Sequence, residues 1–189
     1  KSDLLKTWKL SALYKLTDNG NVYAAYGYSE KPPGSDNFTL NNAAPNAQGL
    51  LNVNNPNLDP QTARNIELGT KWDLLNRKLA LTAALFRTTL KNDLASRDAV
   101  TQAVTQFGER RVQGIELGAV GNVSDNWQVM AGLARMDTKV EAGTAATQGA
   151  MVNWSPKLTL TAWTTYHLAR TGLTLGAGAR HVSMQRRQV

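Results

Sequence analysis

The stretch Asn65-Ile66-Glu67-Leu68-Gly69-Thr70-Lys71-Trp72-Asp73-Leu74-Leu75 decides how this chain folds. Ile66, Leu68, Thr70, Trp72 and Leu74 take every second position, and Glu67, Gly69, Lys71 and Asp73 fill the gaps. Successive side chains of an extended strand point to opposite faces, so the segment has one apolar and one polar face. A helix, repeating every 3.6 residues, would scatter both sets around its circumference.

The same rhythm recurs on both sides. Upstream, Thr7–Leu16 aligns Trp8, Leu10, Ala12, Tyr14 and Leu16, and Asn21–Ser29 aligns Val22, Ala24, Tyr26 and Tyr28. Downstream lie Lys78–Thr88, Val112–Gly121, Trp127–Asp137, Leu158–Leu168 and Leu173–Val182, each with its own apolar alternate set. The pattern therefore predicts about eight strands, each near the roughly 9–11 residues that cross a bilayer when tilted.

The connections alternate in length. Short turns fall at Thr17–Gly20, at Asn76-Arg77, at Asn122–Asn126 and at Ala169–Gly172; long polar segments fall at Glu30–Arg64, Lys91–Arg111 and Lys139–Ser155. Tight turns at one end and long loops at the other are the mark of a transmembrane barrel. A soluble sandwich gains nothing from that asymmetry. Tyr14, Tyr23, Trp72, Trp127 and Tyr166 all stand beside short turns. They are read as an aromatic girdle at the membrane interface on the turn side, where a ring with one polar atom is best placed. Glu67, Lys71 and Glu116 fall on the polar faces and are expected to face the lumen or an internal domain. The apolar sets hold no Lys or Arg except Arg87 and Arg135, both toward the loop end. There a charge costs about 0–1 kcal/mol, against roughly 2–4 kcal/mol at the midplane.

Composition narrows the function. The 189 residues include no cysteine, so disulfides, thiolate metal sites and cysteine nucleophiles are excluded. His167 and His181 are far apart in sequence and are read as polar side chains near strand ends. The net charge of +7 raises nucleic acid as a partner, but no Lys/Arg run exceeds two residues, so no basic stripe forms and no nucleic acid is expected. No Ser/His/Asp grouping, Gly-rich phosphate loop or metal-ligand spacing is present, and no enzyme activity is expected. No segment reaches the roughly 20 continuous apolar residues of a membrane helix, a test to which barrel strands are invisible. The chain opens with Lys1-Ser2-Asp3 and shows no signal-peptide pattern. Its last strand runs toward the loop side and ends in the basic stretch His181–Val189. That arrangement leads us to expect a portion of a larger barrel.

Four segments carry a family resemblance. Asn57–Trp72, with Leu58, Pro60, Thr62, Glu67, Leu68, Gly69 and Lys71, resembles the L-x-P-E-x-(S/T)-x-x-x-E-(L/I)-G-x-K signature of TonB-dependent receptor barrels; Gln61 stands where the family often has Glu. Leu81–Thr88 is similar to the following strand, which ends in Phe-Arg. Arg111–Leu117 is similar to the family's R-x-x-G-(I/V)-E segment. Trp154-Ser155-Pro156-Lys157 with Leu160–Tyr166 resembles its P-K-H…L-W-T-T-Y strand, with Leu158 replacing the usual His. The four occur in family order across most of residues 57–182.

The resemblance, nearest to the catecholate-siderophore receptors, implies about eight strands of a 22-stranded antiparallel barrel in a bacterial outer membrane. It implies that residues 1–189 are a partial barrel domain, without the N-terminal plug, the early strands and the final strands. The implied function is to bind a ferric siderophore outside and import it through TonB, which would engage the absent plug. No cofactor is expected, since iron would arrive chelated. Outer-membrane lipid and lipopolysaccharide are the implied surroundings. Ferric catecholates are anionic, so basic and aromatic residues at the loop ends suit capture: Arg97, Phe107, Arg110, Arg111 and Arg180 are the candidates. The competing readings are a passive porin-like barrel and a soluble β-sandwich binding module.

Overall fold

The computed structural model describes residues 4–32, 59–97, 104–143, 145 and 147–186, with residues 93–97 and 104–107 described by their backbone. Eight strands follow in chain order: β1 (Thr7–Thr17), β2 (Gly20–Lys31), β3 (Gln61–Leu74), β4 (Leu79–Arg97), β5 (Val104–Ser124), β6 (Trp127–Ala142), β7 (Leu158–Leu168) and β8 (Leu173–Val182). They form one sheet in that same order, every neighbouring pair antiparallel. All eight expected strands are present. This all-β meander is the architecture of a barrel wall.

Paired residues in an antiparallel ladder share a face, so the register tests whether the apolar sets line up. They do, across the whole sheet. One row runs Tyr14, Val22, Thr70, Ala83, Leu117, Leu133, Leu160, His181. The next row toward the turns runs Trp72, Leu81, Ala119, Ala131, Ala162, Ala179. The apolar face stands open to its surroundings: Leu10 is 69% exposed, and Leu68, Leu85 and Leu175 are each 56% exposed. A soluble sheet would cover such a face, because large contiguous apolar surfaces are driven out of water. A sheet in lipid has no such need.

The register also yields the strand tilt. Toward the loops, the apolar face ends at Arg64 on β3 and at His181 on β8. Following the pairing, these ends are offset by six residues, about 20 Å along the strand at roughly 3.4 Å per residue. Five strand spacings of about 4.8 Å separate them, which gives a tilt of about 40°. The turn-side aromatics give the same answer: Trp72 on β3 and Trp127 on β6 are offset by four residues over three spacings, again about 40°. Transmembrane barrel strands tilt by roughly 35–45°. At that tilt the Tyr14-to-His181 row, seven spacings long, climbs about 22 Å, close to the apolar band of about 25 Å on such barrels. One line of paired residues thus crosses from one interface to the other.

The turn side is tied laterally. Asp73 N–H donates to the Asn19 carbonyl at 2.7 Å, Asn19 Nδ2 donates to the Asp73 carbonyl at 3.1 Å, and His167 N–H donates to the Asn126 carbonyl at 2.8 Å. Leu75, Asn76 and Arg77 make the β3–β4 turn with three consecutive positive φ values, and Gly172 closes β7–β8 at φ 69°.

The loop side differs from the sequence expectation. Where the sequence pattern predicts a long loop over Lys91–Arg111, β4 and β5 stay paired out to Arg97↔Val104, past a bulge at Asn92, whose φ is 59°. Lys139–Ser155 is likewise not simply loop: β6 continues to Ala142, and the chain then folds back on it. Val140 N–H donates to the Ala150 carbonyl, Gly149 N–H to the Val140 carbonyl, and Val152 N–H to Thr138 Oγ1. The reason is physical. Alternation fades where the wall leaves the bilayer and both faces meet water, yet the backbone ladder needs no lipid. Most of the expected loop Glu30–Arg64 lies outside the described residues.

Candidate functional site

Two surfaces carry the side chains of interest. The polar face is built from the complementary rows. One runs Tyr23, Gly69, Ala84, Glu116, Ala134, Thr159, and the next toward the turns runs Asn21, Lys71, Thr82, Gly118, Gly132, Thr161, Arg180. Tyr23 lies flat across Gly69, where a Cβ would run into the phenol ring. Its hydroxyl donates to Glu67 Oε1 at 2.6 Å, and Lys71 Nζ sits 5.4 Å from its ring centre. Glycine at 69 therefore lets an aromatic ring seal the wall while a carboxylate and an amine stand beside it. Trp163 repeats the device over Gly176 and Gly178. Between these groups Gly114, Gly118, Gly132, Ala84 and Ala134 project little above the backbone, and Glu116 stands up in their midst.

Tyr23 therefore corrects the expected girdle. It stands beside a turn but has the wrong parity, and it points to the polar face. Tyr14, Trp72, Trp127 and Tyr166 do lie on the apolar face at its turn-side rim, with Trp127 and Tyr166 directly paired. Trp127 Nε1 donates to Thr164 Oγ1 at 2.7 Å, which satisfies its polar atom at that interface. A second aromatic group sits at the opposite rim. Trp8 packs on Tyr26 and Tyr28 at ring-centre distances of 5.2 and 6.0 Å. The six-residue spacing from Trp8 to Tyr14 along one face was the available clue.

The candidate ligand residues separate. Arg180 projects from the polar face, paired with Thr161. Arg110 shares that face, paired with Leu90 and Val140, where Val140 and Thr138 are buried. Arg111 does not join them. It points to the apolar-face side beyond the band, with Nη1 3.1 Å from Glu141 and Nη2 3.8 Å from Asp137. Adjacent basic residues in a strand cannot serve the same side. Arg97 and Phe107 are placed by backbone only, near the far end of the β4–β5 hairpin. Glu67, Lys71 and Glu116 share the polar face, though Glu116 stands two strands from Glu67. Glu141, outside the membrane-spanning segment, has its carboxyl held below its ordinary value, chiefly by the hydrogen bond from Lys139 and then by the charges of Arg111, Lys139 and Arg87. Among the described residues no group of three His, Cys, Asp or Glu side chains is placed to hold a metal ion.

A tilted antiparallel wall, with lipid-type residues on one face and polar residues on the other, defines a segment of a transmembrane β-barrel. The comparisons specify which. The family model described as TonB dependent receptor-like, beta-barrel matches residues 2–189, and the chain belongs to that family of outer-membrane barrels. It is 39% identical over 184 residues to the catecholate siderophore receptor Fiu of Escherichia coli K12, covering 96% of this chain and 23% of Fiu. The probable TonB-dependent siderophore receptor PiuA of Acinetobacter baumannii is 36% identical, covering 92% of this chain and 24% of PiuA. The crystal structure of the closed form of Fiu superposes with a TM-score of 0.76 at 36% identity, over 93% of this chain and 24% of Fiu. The ferripyoverdine receptor of the outer membrane of Pseudomonas aeruginosa gives 0.67 at 26% identity, over 92% of this chain and 22% of the receptor. The chain spans about a quarter of the length of these relatives.

Proposed function

We propose that the chain is part of the barrel of an outer-membrane receptor that binds a ferric siderophore of the catecholate type at its outer side and imports it in a TonB-dependent manner. The observation that carries this reading is the identity to Fiu over almost the whole chain. In it, the polar face lines the lumen of a 22-stranded barrel, and a plug domain encoded upstream fills that lumen and meets TonB. The low floor of Gly114, Gly118 and Gly132, with Glu116 rising from its middle and Glu67 and Lys71 at one side, suits close packing of another segment's backbone around a charged anchor. Arg110 and Arg180 then face the vestibule, where cations attract an anionic chelate. Arg97 and Phe107 belong to the same hairpin rim. Iron enters as a chelate, so the protein supplies neither cofactor nor metal ligands and makes no covalent bond. Lipid and lipopolysaccharide surround the apolar face.

Uptake of radiolabelled iron as a catecholate complex tests the reading. Cells whose only catecholate receptor is the full-length protein should accumulate iron when TonB is present and lose that uptake when it is deleted. Uptake independent of TonB would favour a passive porin-like pore.

A further inference from the structure

The two rims of the apolar face are not alike. At the turn side its row ends are uncharged: Leu16, Trp72, Leu79, Gly121, Trp127 and Leu173. At the loop side the first residue past the band is Arg64 on β3, Arg87 on β4 and Arg135 on β6. In register, Arg135 sits two residues lower than Arg87. Two strand spacings at a tilt of about 40° cancel that offset, so the two lie at one depth, with Cα atoms about 12 Å apart.

These arginines are not used up by neighbouring acids. On the same face, Glu109 pairs with Lys91, Asp137 and Glu141 with Arg111, Glu141 also with Lys139, and Glu30 accepts from the Tyr28 hydroxyl and the Lys6 N–H. Arg64 lies 6.0 Å over the Tyr28 ring. Arg87 and Arg135 make no ion pair among the described residues, and both are exposed. Together they rim a cavity of about 1020 Å³, which Lys157 and the Arg111-paired Asp137 also line and whose floor is Leu85, Ile115, Leu133 and Leu158. A cavity with two free guanidinium forks above and aliphatic side chains below matches a molecule with phosphate above and acyl chains below.

We propose that Arg87 and Arg135, flanked by Arg64, form a docking site for a phosphorylated lipid of the leaflet on the loop side, its phosphate held by the guanidinium groups and its chains lying on Leu85, Ile115, Leu133 and Leu158. The proposal rests on the membrane-barrel reading of the apolar face. It does not depend on what the receptor transports. The site anchors the wall at a fixed depth and leaves the opposite rim to neutral aromatics.

The test uses the full-length receptor purified in detergent. Native mass spectrometry and a total-phosphate assay measure lipopolysaccharide retained after stepwise delipidation. The R87Q/R135Q double variant should retain less by about tenfold or more, the scale of losing one charge-assisted hydrogen bond. R170Q, in the turn at the opposite rim, should retain as much as wild type. Heat-modified gel mobility, reporting a closed barrel, and TonB-dependent iron uptake should persist in the double variant. Equal retention in R87Q/R135Q overturns the site, as does displacement of the lipid by millimolar inorganic phosphate, which would mark a free-anion site. Loss of uptake in wild type would sink the receptor reading and leave the lipid result intact.

Discussion

An arginine placed in turn at Gln113, Ile115 and Leu117 samples the membrane from interface to centre along one face of one strand. Gln113 pairs with Arg87 at the loop-side rim; Leu117 lies two positions deeper on that face, paired with Ala83 and Leu133. By the tilt derived above, the band on β5 runs from about Ile115 to the level of the turn-side aromatics, and Leu117 falls near its middle. A lipid-facing arginine costs roughly 2–4 kcal/mol at the midplane and about 0–1 kcal/mol at the interface. Leu117→Arg should therefore lower the folded-to-unfolded ratio by roughly 30- to 1,000-fold, since about 1.4 kcal/mol is a factor of ten. Gln113→Arg should change it by about fivefold at most, and Ile115→Arg should fall between. Thr82→Arg, on the polar face opposite Gly118, is the control and should cost little. The assay is equilibrium denaturant unfolding of the full-length receptor in liposomes, read by gel mobility. A flat series, or a Thr82→Arg cost equal to that of Leu117→Arg, would refute the facing.

Other outcomes follow from single contacts. Tyr23→Phe removes the hydroxyl bonded to the Glu67 carboxylate and should cost about 1.5–3 kcal/mol, the net worth of a hydrogen bond to a charged group, in the same unfolding assay. Gly69→Leu should cost more than Tyr23→Phe, because the new side chain occupies the space of the phenol ring; the double variant Tyr23→Ala/Gly69→Leu should recover part of the loss. Gly172→Ala forces a Cβ into φ 69° and should cost about 1–2 kcal/mol without altering membrane insertion. Glu141 has a carboxyl held below its ordinary value. Its contribution is thus complete above the unfolded value of about 4.3 and is lost as pH falls through the lower folded value. Hydrogen exchange at the end of β6 should accelerate below about pH 4 beyond the intrinsic rate change, and Glu141→Gln should abolish that excess.

How much the residues reveal depends on what enforces the pattern. The segments from Trp8 to Leu16 and from Leu79 to Leu85 were legible because lipid punishes every polar side chain on one face. Past Ile115 the same strand continues to Val104, but water accepts either parity there and alternation gives no notice of it. Position along the chain groups Arg111 with Arg110. The ladder separates them, and only parity carried from Ile115 through Gln113 would have done so. Tyr23 misled in the same way, because nearness to a turn is a statement about depth and not about face. The tilt was not readable at all from any one strand: it requires the register between strands, which turn geometry and pairing set.

The most direct measurement is depth along the register row Val22, Ala83, Leu117, Leu133, Leu160. Each position takes a single nitroxide label, attached through an introduced cysteine, in the full-length receptor in bilayers; residues 1–189 contain no cysteine, and any cysteine elsewhere in the receptor is first replaced by serine. Collisions with oxygen, compared with those of a water-soluble nickel chelate, report depth. The tilted wall predicts lipid exposure at all five, with depth moving steadily from the turn-side interface through a maximum near Leu117 toward the loop-side interface. Equal depth across the row, or free access of the chelate to Leu117 and Leu133, would contradict it.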